Sequence, residues 1–164
     1  MNPFLASDPR ALRQALGQFA TGVTIVSCVD RSGRPVGLTV NSFNSLSLEP
    51  PLILWSLRRE SPSLGAFEGA MHFAVNVLGE AQVELSRRFA SPRDDKFEDV
   101  AWHAGVGGAP VLAGCAAALQ CEVAARQDAG DHRLYIGRVL ALSCEPVPPL
   151  VFHAGRYHLL GEIL

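Results

Sequence analysis

The most unusual stretch of this 164-residue chain is Gly37-Leu38-Thr39-Val40-Asn41-Ser42-Phe43-Asn44-Ser45-Leu46-Ser47-Leu48-Glu49-Pro50-Pro51-Leu52. Apolar residues alternate in it with small hydrogen-bonding side chains. Hydroxyls and amides beside backbone N–H groups form a neutral, donor-rich surface that suits a phosphate or a polar ring edge. The hydrogen-bonding side chains of this stretch are Thr39, Asn41, Ser42, Asn44, Ser45 and Ser47.

A strand pattern follows directly, Leu52-Ile53-Leu54-Trp55-Ser56-Leu57, and it ends at Arg58 and Arg59. Two guanidinium groups beside a donor-rich loop indicate an anion site, because their planar forks match phosphate oxygens. A Ser/Asn-rich turn with solvated arginines explains the same residues, since these residue types favour turns in any case. The residues alone leave both interpretations open.

Composition limits the classes of protein that this chain can belong to. Apolar residues make up 48% of the sequence and charged residues 18%, which argues against disorder and predicts one domain over residues 1–164. A net charge of -2 argues against nucleic acid or an anionic membrane as a partner. Residues 1–8 lack a signal-peptide pattern, and no apolar run approaches about 20 residues, so a cytoplasmic protein is expected.

Alternation and turn residues along the chain predict a mainly β protein. Helical spacing starts at Asp8-Pro9, with an apolar stripe over Leu12–Ala20 that predicts a packing helix ending at Gly22, and it recurs over 80–90. The strands do not alternate regularly with helices, which favours an antiparallel β-barrel with peripheral helices over a parallel sheet. The predicted strands cover residues 23–29, 35–40, 52–57, 72–78, 115–123, 134–142 and 150–152.

Metal and thiol chemistry find little support in the sequence. The four cysteines form no C-x-x-C pair, so we expect no zinc site. Cys28, Cys121 and Cys144 lie in or beside apolar strands, which predicts buried, reduced thiols. Among the histidines, His132 follows Gly130-Asp131 in a turn between two strands. It is either a turn residue or a site residue, and Asp131 is too close in sequence to be assumed its partner.

The order and spacing of several motifs resemble the flavin reductase family with the FMN-binding split-barrel fold. This family comprises the small reductase components of two-component flavin monooxygenases. The resemblance runs from about Phe19 to Tyr157. It is carried by Phe19-Ala20-Thr21-Gly22-Val23, Gly37–Phe43, Ser45–Leu52, Phe73–Leu78, Phe89-Ala90, Asp95-Lys96-Phe97, Gly130-Asp131-His132, Pro149–Phe152 and Gly155-Arg156-Tyr157.

The resemblance implies a homodimer with FMN or FAD in a groove near the subunit interface, and NADH or NADPH as co-substrate. The ring and ribityl chain are expected on Thr39, Val40, Asn41 and Ser42. The flavin then runs toward its phosphate along Ser56, Leu57, Arg58 and Ser61. Residues implied at the phosphate end are Arg88, Phe89 and Lys96, and those implied near the ring, where nicotinamide stacks, are His132 and Tyr157.

Three functions fit this resemblance. The first is an NAD(P)H-dependent flavin reductase that supplies reduced flavin to a monooxygenase. The second is an FMN-containing oxidoreductase that acts on another substrate, and the third is a flavin-binding protein without turnover. Hydride transfer to a flavin needs no catalytic triad or metal, because the flavin carries the reaction. His132 is the candidate catalytic residue, expected to steady the nicotinamide or the reduced flavin.

Overall fold

The computed structural model describes residues 8–163. The segment 1–8, in which a signal-peptide pattern was sought, therefore lies outside the described range except for Asp8. The helices are α1 (Pro9–Leu16), α2 (Leu64–Gly69) and α3 (Val83–Ala90), with single 3₁₀ turns at Glu80–Gln82 and Val106–Gly108. The strands are β1 (Thr21–Gly22), β2 (Thr24–Val29), β3 (Pro35–Val40), β4 (Asn44–Leu48), β5 (Pro51–Arg58), β6 (His72–Val77), β7 (Trp102–Ala104), β8 (Pro110–Leu112), β9 (Ala117–Ala129), β10 (His132–Cys144), β11 (Val151–His153) and β12 (Arg156–His158).

One seven-stranded antiparallel sheet dominates the molecule, in the order β3-β2-β6-β9-β10-β5-β4. Two small sheets, β1-β11-β12 and β7-β8, lie beside it. The mainly β, antiparallel class predicted from the sequence is confirmed. The predicted strands are all present, and β9 and β10 extend beyond their predicted bounds into a long hairpin.

The sheet curls until its two edge strands come near each other. β3 and β4 lie at opposite edges of the strand order, yet only residues 41–43 connect them. A connection of this length spans at most about 14 Å. No strand ladder joins β3 to β4 within residues 8–163, so the sheet is open along this line rather than closed into a barrel. Residues 41–43, which bridge the two edges at this line, belong to the donor-rich stretch.

The inside of the curled sheet is an aromatic core. Trp55 stacks on Tyr135, with ring centroids 4.6 Å apart, and meets Phe67 and Phe73 edge-on at 5.0 and 5.8 Å. All four rings are buried. Trp55 and Tyr135 are direct partners across β5 and β10, and α2 brings Phe67 onto them. Offset and edge-on ring pairs add stability beyond the burial of their area.

A second core lies under α3. Phe89 is fully buried with Ile25, Leu78 and Leu112. Nearby, the buried Asn76 side chain donates to Ile25 O at 3.1 Å and accepts from the Leu112 backbone N–H at 2.9 Å, which fixes β8 to the main sheet. α3 and β8 therefore both pack against strands of the main sheet.

Helix α1 departs from its prediction. Asp8 caps it and Pro9 begins it as expected, with Asp8 Oδ1 accepting from Arg10 N at 2.9 Å. It ends at Leu16, however, and Gly17 rather than Gly22 follows its last turn. Leu16 and Phe19 of the predicted packing stripe are 66% and 75% exposed. The prediction of a packing helix is therefore wrong, because α1 buries none of its residues.

Candidate functional site

An open cleft of about 510 Å³ lies at the open line of the sheet, between the end of β3 and the end of β5. Its volume falls in the range of small-molecule sites. The turn after β5 and the start of β10 complete its wall. The cleft is lined by Leu38, Thr39, Val40, Asn41, Ser42, Ser56, Leu57, Arg58, Glu60, Ser61, Pro62 and His132.

The structure brings together most of the residues that the sequence singled out. Nine of the thirteen predicted site residues line this cleft, from three separate parts of the chain. The period of two in β5 explains part of the arrangement: Trp55 and Leu57 are buried, whereas Ser56 and Arg58 alternate with them. Arg88, Phe89, Lys96 and Tyr157 do not line it.

Ser42 fixes the wall of the cleft where no strand ladder does. Its Oγ donates to Ser56 O at 3.1 Å and accepts from the Ser56 backbone N–H at 3.0 Å. This pair of hydrogen bonds imitates one rung of an antiparallel ladder. The half-buried Ser42 hydroxyl therefore holds residues 41–43 against β5, and its single proton is already donated within the chain.

Thr39 is fixed from the other side of the cleft. Its Oγ1 donates to Ser86 O in α3 at 2.6 Å, and the fully buried Ser86 Oγ lies 2.9 Å from the Tyr157 hydroxyl. Tyr157 is thus connected to the cleft through Ser86 and Thr39. The sequence placed Tyr157 near a flavin ring; the structure places it behind Thr39, packed on Phe152.

His132 stands at the first position of β10, directly opposite Arg58 of β5. Its Nδ1 lies 2.8 Å from Asp131 Oδ1. The His132 hydrogen bond and charge hold the pKa of Asp131 below its usual value. Their closeness in sequence gave no ground to assume this pairing, but the structure brings the two side chains together beside the tight turn at Gly130, which has a φ of 60°. With Nδ1 held by Asp131, Nε2 is the ring atom left for a ligand.

Arg58 carries the positive charge of the cleft. Its Nη2 lies 3.2 Å from Glu60 Oε2, and both side chains are largely exposed. Glu60 and Pro62 are lining residues that sequence reasoning missed. The turn that brings Glu60 back onto Arg58 starts within the cleft wall, where Ser61 N donates to Arg58 O at 3.0 Å. The sequence feature that could have indicated Glu60 is its position two residues after Arg58, the predicted anion-binding arginine.

Three of the predicted phosphate-end residues have other contacts in this chain. The Phe89 ring is fully buried, so its side chain does not face a ligand here. Lys96 Nζ donates to Phe89 O at 3.0 Å and to Gly37 O at 3.4 Å. Burial lowers the pKa of Lys96. Arg88 donates to Glu98 O and lines a different cavity, beside Arg87 and Arg93.

Three of the four cysteines are packed in the interior. Cys28, Cys115 and Cys121 are buried and unbridged, and burial raises the pKa of each thiol, to about 12 for Cys28 and Cys121 and about 11 for Cys115. Such thiols are protonated and unreactive at neutral pH. Cys144 is exposed, so its predicted burial was wrong, and Cys115 is buried instead. Across the described part of the chain, no three His, Cys, Asp or Glu side chains cluster as metal ligands.

Between Asp8 and Ile163, none of the helices is both long and apolar enough to span a bilayer.

Comparisons with known proteins agree on one family. The model of the family described as "Flavin reductase like domain" matches residues 16–161. The chain is 44% identical to the FMN reductase (NADH) SmoA of Agrobacterium fabrum, over 92% of this chain and 85% of that protein. It is also 44% identical to the flavin-dependent monooxygenase reductase subunit HsaB of Rhodococcus jostii, over 93% of this chain and 78% of that protein.

A solved structure shows that a protein of similar sequence has the same fold. The NADH:FAD oxidoreductase SgcE6 of Streptomyces globisporus, in complex with NAD and FAD fragments, superposes with a TM-score of 0.92 at 34% identity, over 98% of each chain. Two further relatives, both from Rhizobium meliloti, are longer: this chain spans 48% and 65% of their lengths. The match over nearly the whole chain, at this level of identity, shows that the chain belongs to the flavin reductase like family.

Proposed function

We propose that this chain, as one domain, is an NAD(P)H-dependent flavin reductase that transfers hydride from a nicotinamide nucleotide to FMN or FAD. The observation that carries the proposal is the cleft at the open line of the sheet, where nine predicted flavin-site residues meet. The names of SmoA, HsaB and SgcE6 support flavin and NADH as substrates, and that of HsaB supports a partner monooxygenase that receives the reduced flavin. The open, curled sheet is then the split barrel.

The donor set of the cleft fits a flavin. The Asn41 and Ser56 side chains suit the ring edge and the ribityl hydroxyls as donors, and Arg58 with Ser61 suits the phosphate. The Thr39 and Ser42 hydroxyls donate their protons within the chain, so toward a flavin they act as acceptors. A bound flavin supplies the hydride-accepting ring and thus the redox chemistry. The protein holds two planar rings at reacting distance, a contribution of orientation that lowers the barrier.

The rigidity of the wall serves this orientation. Ser42 ties residues 41–43 to β5, and Thr39 ties the end of β3 to α3, so both sides of the cleft are fixed before a ligand binds. Donors that are already in place need no reorganisation as the ring edge gains negative charge. His132, held through Nδ1 by Asp131, presents Nε2 at the mouth of the cleft, where we place the nicotinamide amide.

A role for His132 in the reaction has a direct test. His132→Ala is expected to slow hydride transfer in rapid-mixing experiments with saturating FMN, while FMN affinity changes less. An Asp131→Asn variant separates positioning from contact, because it keeps the ring and weakens its anchor. If hydride transfer stays unchanged in His132→Ala, His132 is a turn residue only.

We also propose that two copies form a homodimer beside the cleft. The side of β5 and β10 that faces away from the aromatic core carries four half-buried apolar residues, Leu52, Leu54, Leu134 and Ile136. On the neighbouring β4, Leu48 is 94% exposed. Burying such a face is favourable by about 25 cal/mol per Å². A second copy on this face also brings further residues toward the flavin, which is where we place the contributions of Arg88 and Lys96. The Phe89 ring stays buried within its own protomer.

We place the reaction in the cytoplasm. Four unbridged cysteines suit a reducing compartment, where nicotinamide nucleotides are the common reductants. The flavin is a diffusible substrate in this proposal, so modest affinity suffices. A dissociation constant of about 1 μM corresponds to roughly 8 kcal/mol and still permits rapid exchange.

The test is oxidation of NADH and NADPH by flavin-free protein, with and without added FMN, FAD and riboflavin. We expect oxidation that saturates with added flavin and continues for many turnovers per protein. Tight flavin binding without turnover would contradict the reductase and leave a flavin-binding protein. Turnover that needs bound FMN plus an organic substrate would indicate an FMN-containing oxidoreductase instead.

A further inference from the structure

The positive charge of the cleft is partly neutralised from within the chain. Arg58 Nη2 and Glu60 Oε2 are 3.2 Å apart, and both residues line the cleft. Glu60 is held in place by the turn that follows β5, where Ser61 N donates to Arg58 O. A ligand phosphate that approaches Arg58 therefore meets a carboxylate that already occupies one side of the guanidinium group.

A second carboxylate, that of Asp131, lies near Arg58 in the turn before β10. His132 is the cross-strand partner of Arg58, Asp131 precedes it, and Arg59 N donates to Asp131 O at 2.9 Å. After the His132 hydrogen bond, the charge of Arg58 is among the causes that lower the pKa of Asp131. The mouth of the cleft therefore holds two carboxylates, those of Glu60 and Asp131, close to Arg58 and Arg59.

This arrangement acts selectively on phosphate groups. The Arg58–Glu60 pair is exposed, 64% and 86% for the two side chains, so a phosphate displaces the carboxylate with little loss. The displaced carboxylate stays close and repels the bound phosphate, because unit charges a few Å apart still interact near a protein surface. The isoalloxazine ring and the ribityl chain are uncharged and escape this effect.

We propose that Glu60 determines specificity by competing with the ligand phosphate for Arg58, which keeps the affinity of the cleft for phosphate-bearing flavins moderate. The inference rests on the proposed function and deepens it, since it explains how a site with a phosphate-binding arginine still releases its product. Removal of the Glu60 charge strengthens the binding of FMN and leaves riboflavin, which has no phosphate, almost unchanged.

The experiment compares FMN and riboflavin binding, by flavin fluorescence, to flavin-free wild-type protein, Glu60→Gln, Arg58→Gln and the double variant. We expect Glu60→Gln to bind FMN about fivefold more tightly, with less than a twofold change for riboflavin. In the Arg58→Gln background the same change is expected to have less than half of that effect. Added salt is expected to reduce the difference, because exposed charges are screened.

Glu49→Gln is the matched control. It makes the same change in net charge on an exposed side chain, but Glu49 lies before β5, at the end remote from the cleft. FMN affinity in this variant is expected to equal that of the wild type. An equal gain in Glu49→Gln and Glu60→Gln would reduce the effect to net charge and overturn the inference.

Two other results would overturn the inference about Glu60. One is FMN affinity that is unchanged or weaker in Glu60→Gln, and the other is a gain that is equal for FMN and riboflavin. If Arg58→Gln weakens neither ligand, or both equally, the phosphate does not lie at Arg58 and the inference about Glu60 fails. The proposed function is judged separately, because nicotinamide oxidation with added flavin measures turnover whatever the position of the phosphate.

Discussion

The two sides of β5 carry different kinds of residues: one side packs in the core, and the other lines the cleft. On the inner side, Ile53, Trp55 and Leu57 are almost fully buried in the aromatic core. On the other side, Ser56 is half-buried and Arg58 is exposed, and both line the cleft. Because successive side chains of a strand point to opposite faces, one strand joins the aromatic core to the cleft.

The difference shows how the site obtains its rigidity. The inner side contributes stability through packing, whereas residues 41–43 at the cleft are held to β5 by individual hydrogen bonds such as those of Ser42. Changes on the inner side should therefore alter folding, and changes on the cleft side should alter ligand binding. The following predictions test that division.

The largest effect is expected on the inner side, at Trp55. Trp55→Ala removes a fully buried ring that contacts three other aromatic rings, and we expect the free energy of unfolding to fall by about 3–5 kcal/mol. Unfolding in denaturant measures this free energy. Arg58→Ala, three residues along the same strand, is the control and should change unfolding by no more than about 0.5 kcal/mol. Equal losses in the two variants would contradict the division.

Ser42→Ala should lower both the stability of the fold and the affinity for ligand. It removes two hydrogen bonds at a half-buried position and leaves the Ser56 backbone without these partners, which we expect to lower unfolding free energy by about 1–3 kcal/mol. Binding of FMN and of riboflavin should weaken together, since the wall itself loosens. Ser45→Ala, an exposed serine of β4, is the control. A selective loss of FMN alone would show that Ser42 contacts the phosphate.

Arg58→Ala should act on binding only. An arginine–phosphate contact contributes about 1.5–3 kcal/mol, so we expect FMN to bind at least tenfold more weakly, with riboflavin nearly unchanged. Arg59→Ala is the neighbouring control, because Arg59 does not line the cleft. Titration by flavin fluorescence measures each variant. Equal losses for FMN and riboflavin would remove Arg58 from the phosphate site.

The smallest effect concerns the thiols. Burial raises the pKa values of Cys28, Cys115 and Cys121, so these groups stay protonated up to pH 8 and react slowly with a disulfide reagent. Cys144 is exposed and should react within minutes. We expect one fast thiol per native chain and four after denaturation. Two or more fast thiols in the native protein would show that the cores open readily.

The sequence predicted the strands well because alternation and β-branched runs are local signals. β2, β3, β5 and β6 lie where their patterns placed them. It was wrong about Cys144 and about the packing of α1, since burial depends on what covers a residue and not on the residue itself. Helical spacing at Leu16 and Phe19 indicates an apolar face, but it does not say what, if anything, packs on that face.

The site was predictable in part for the same reason. The donor-rich stretch and the arginines lie on adjacent strands in sequence, so local patterns together with the resemblance located them. The Asp131–His132 bond depends on the exact turn geometry, and the Arg58–Glu60 pair depends on how the chain folds back after β5. Tyr157 reaches Thr39 only through Ser86 of α3, a connection between distant parts of the chain that no local pattern reveals.

The most direct test of the account is the crystal structure of the protein with FMN. The account predicts a flavin in the cleft between β3 and β5, with its ring along Thr39–Ser42, its phosphate beside Arg58 and Ser61, and His132 near the exposed face of the ring. A flavin bound instead in the cavity beside Arg87, Arg88 and Arg93, with the β3–β5 cleft empty, would contradict it.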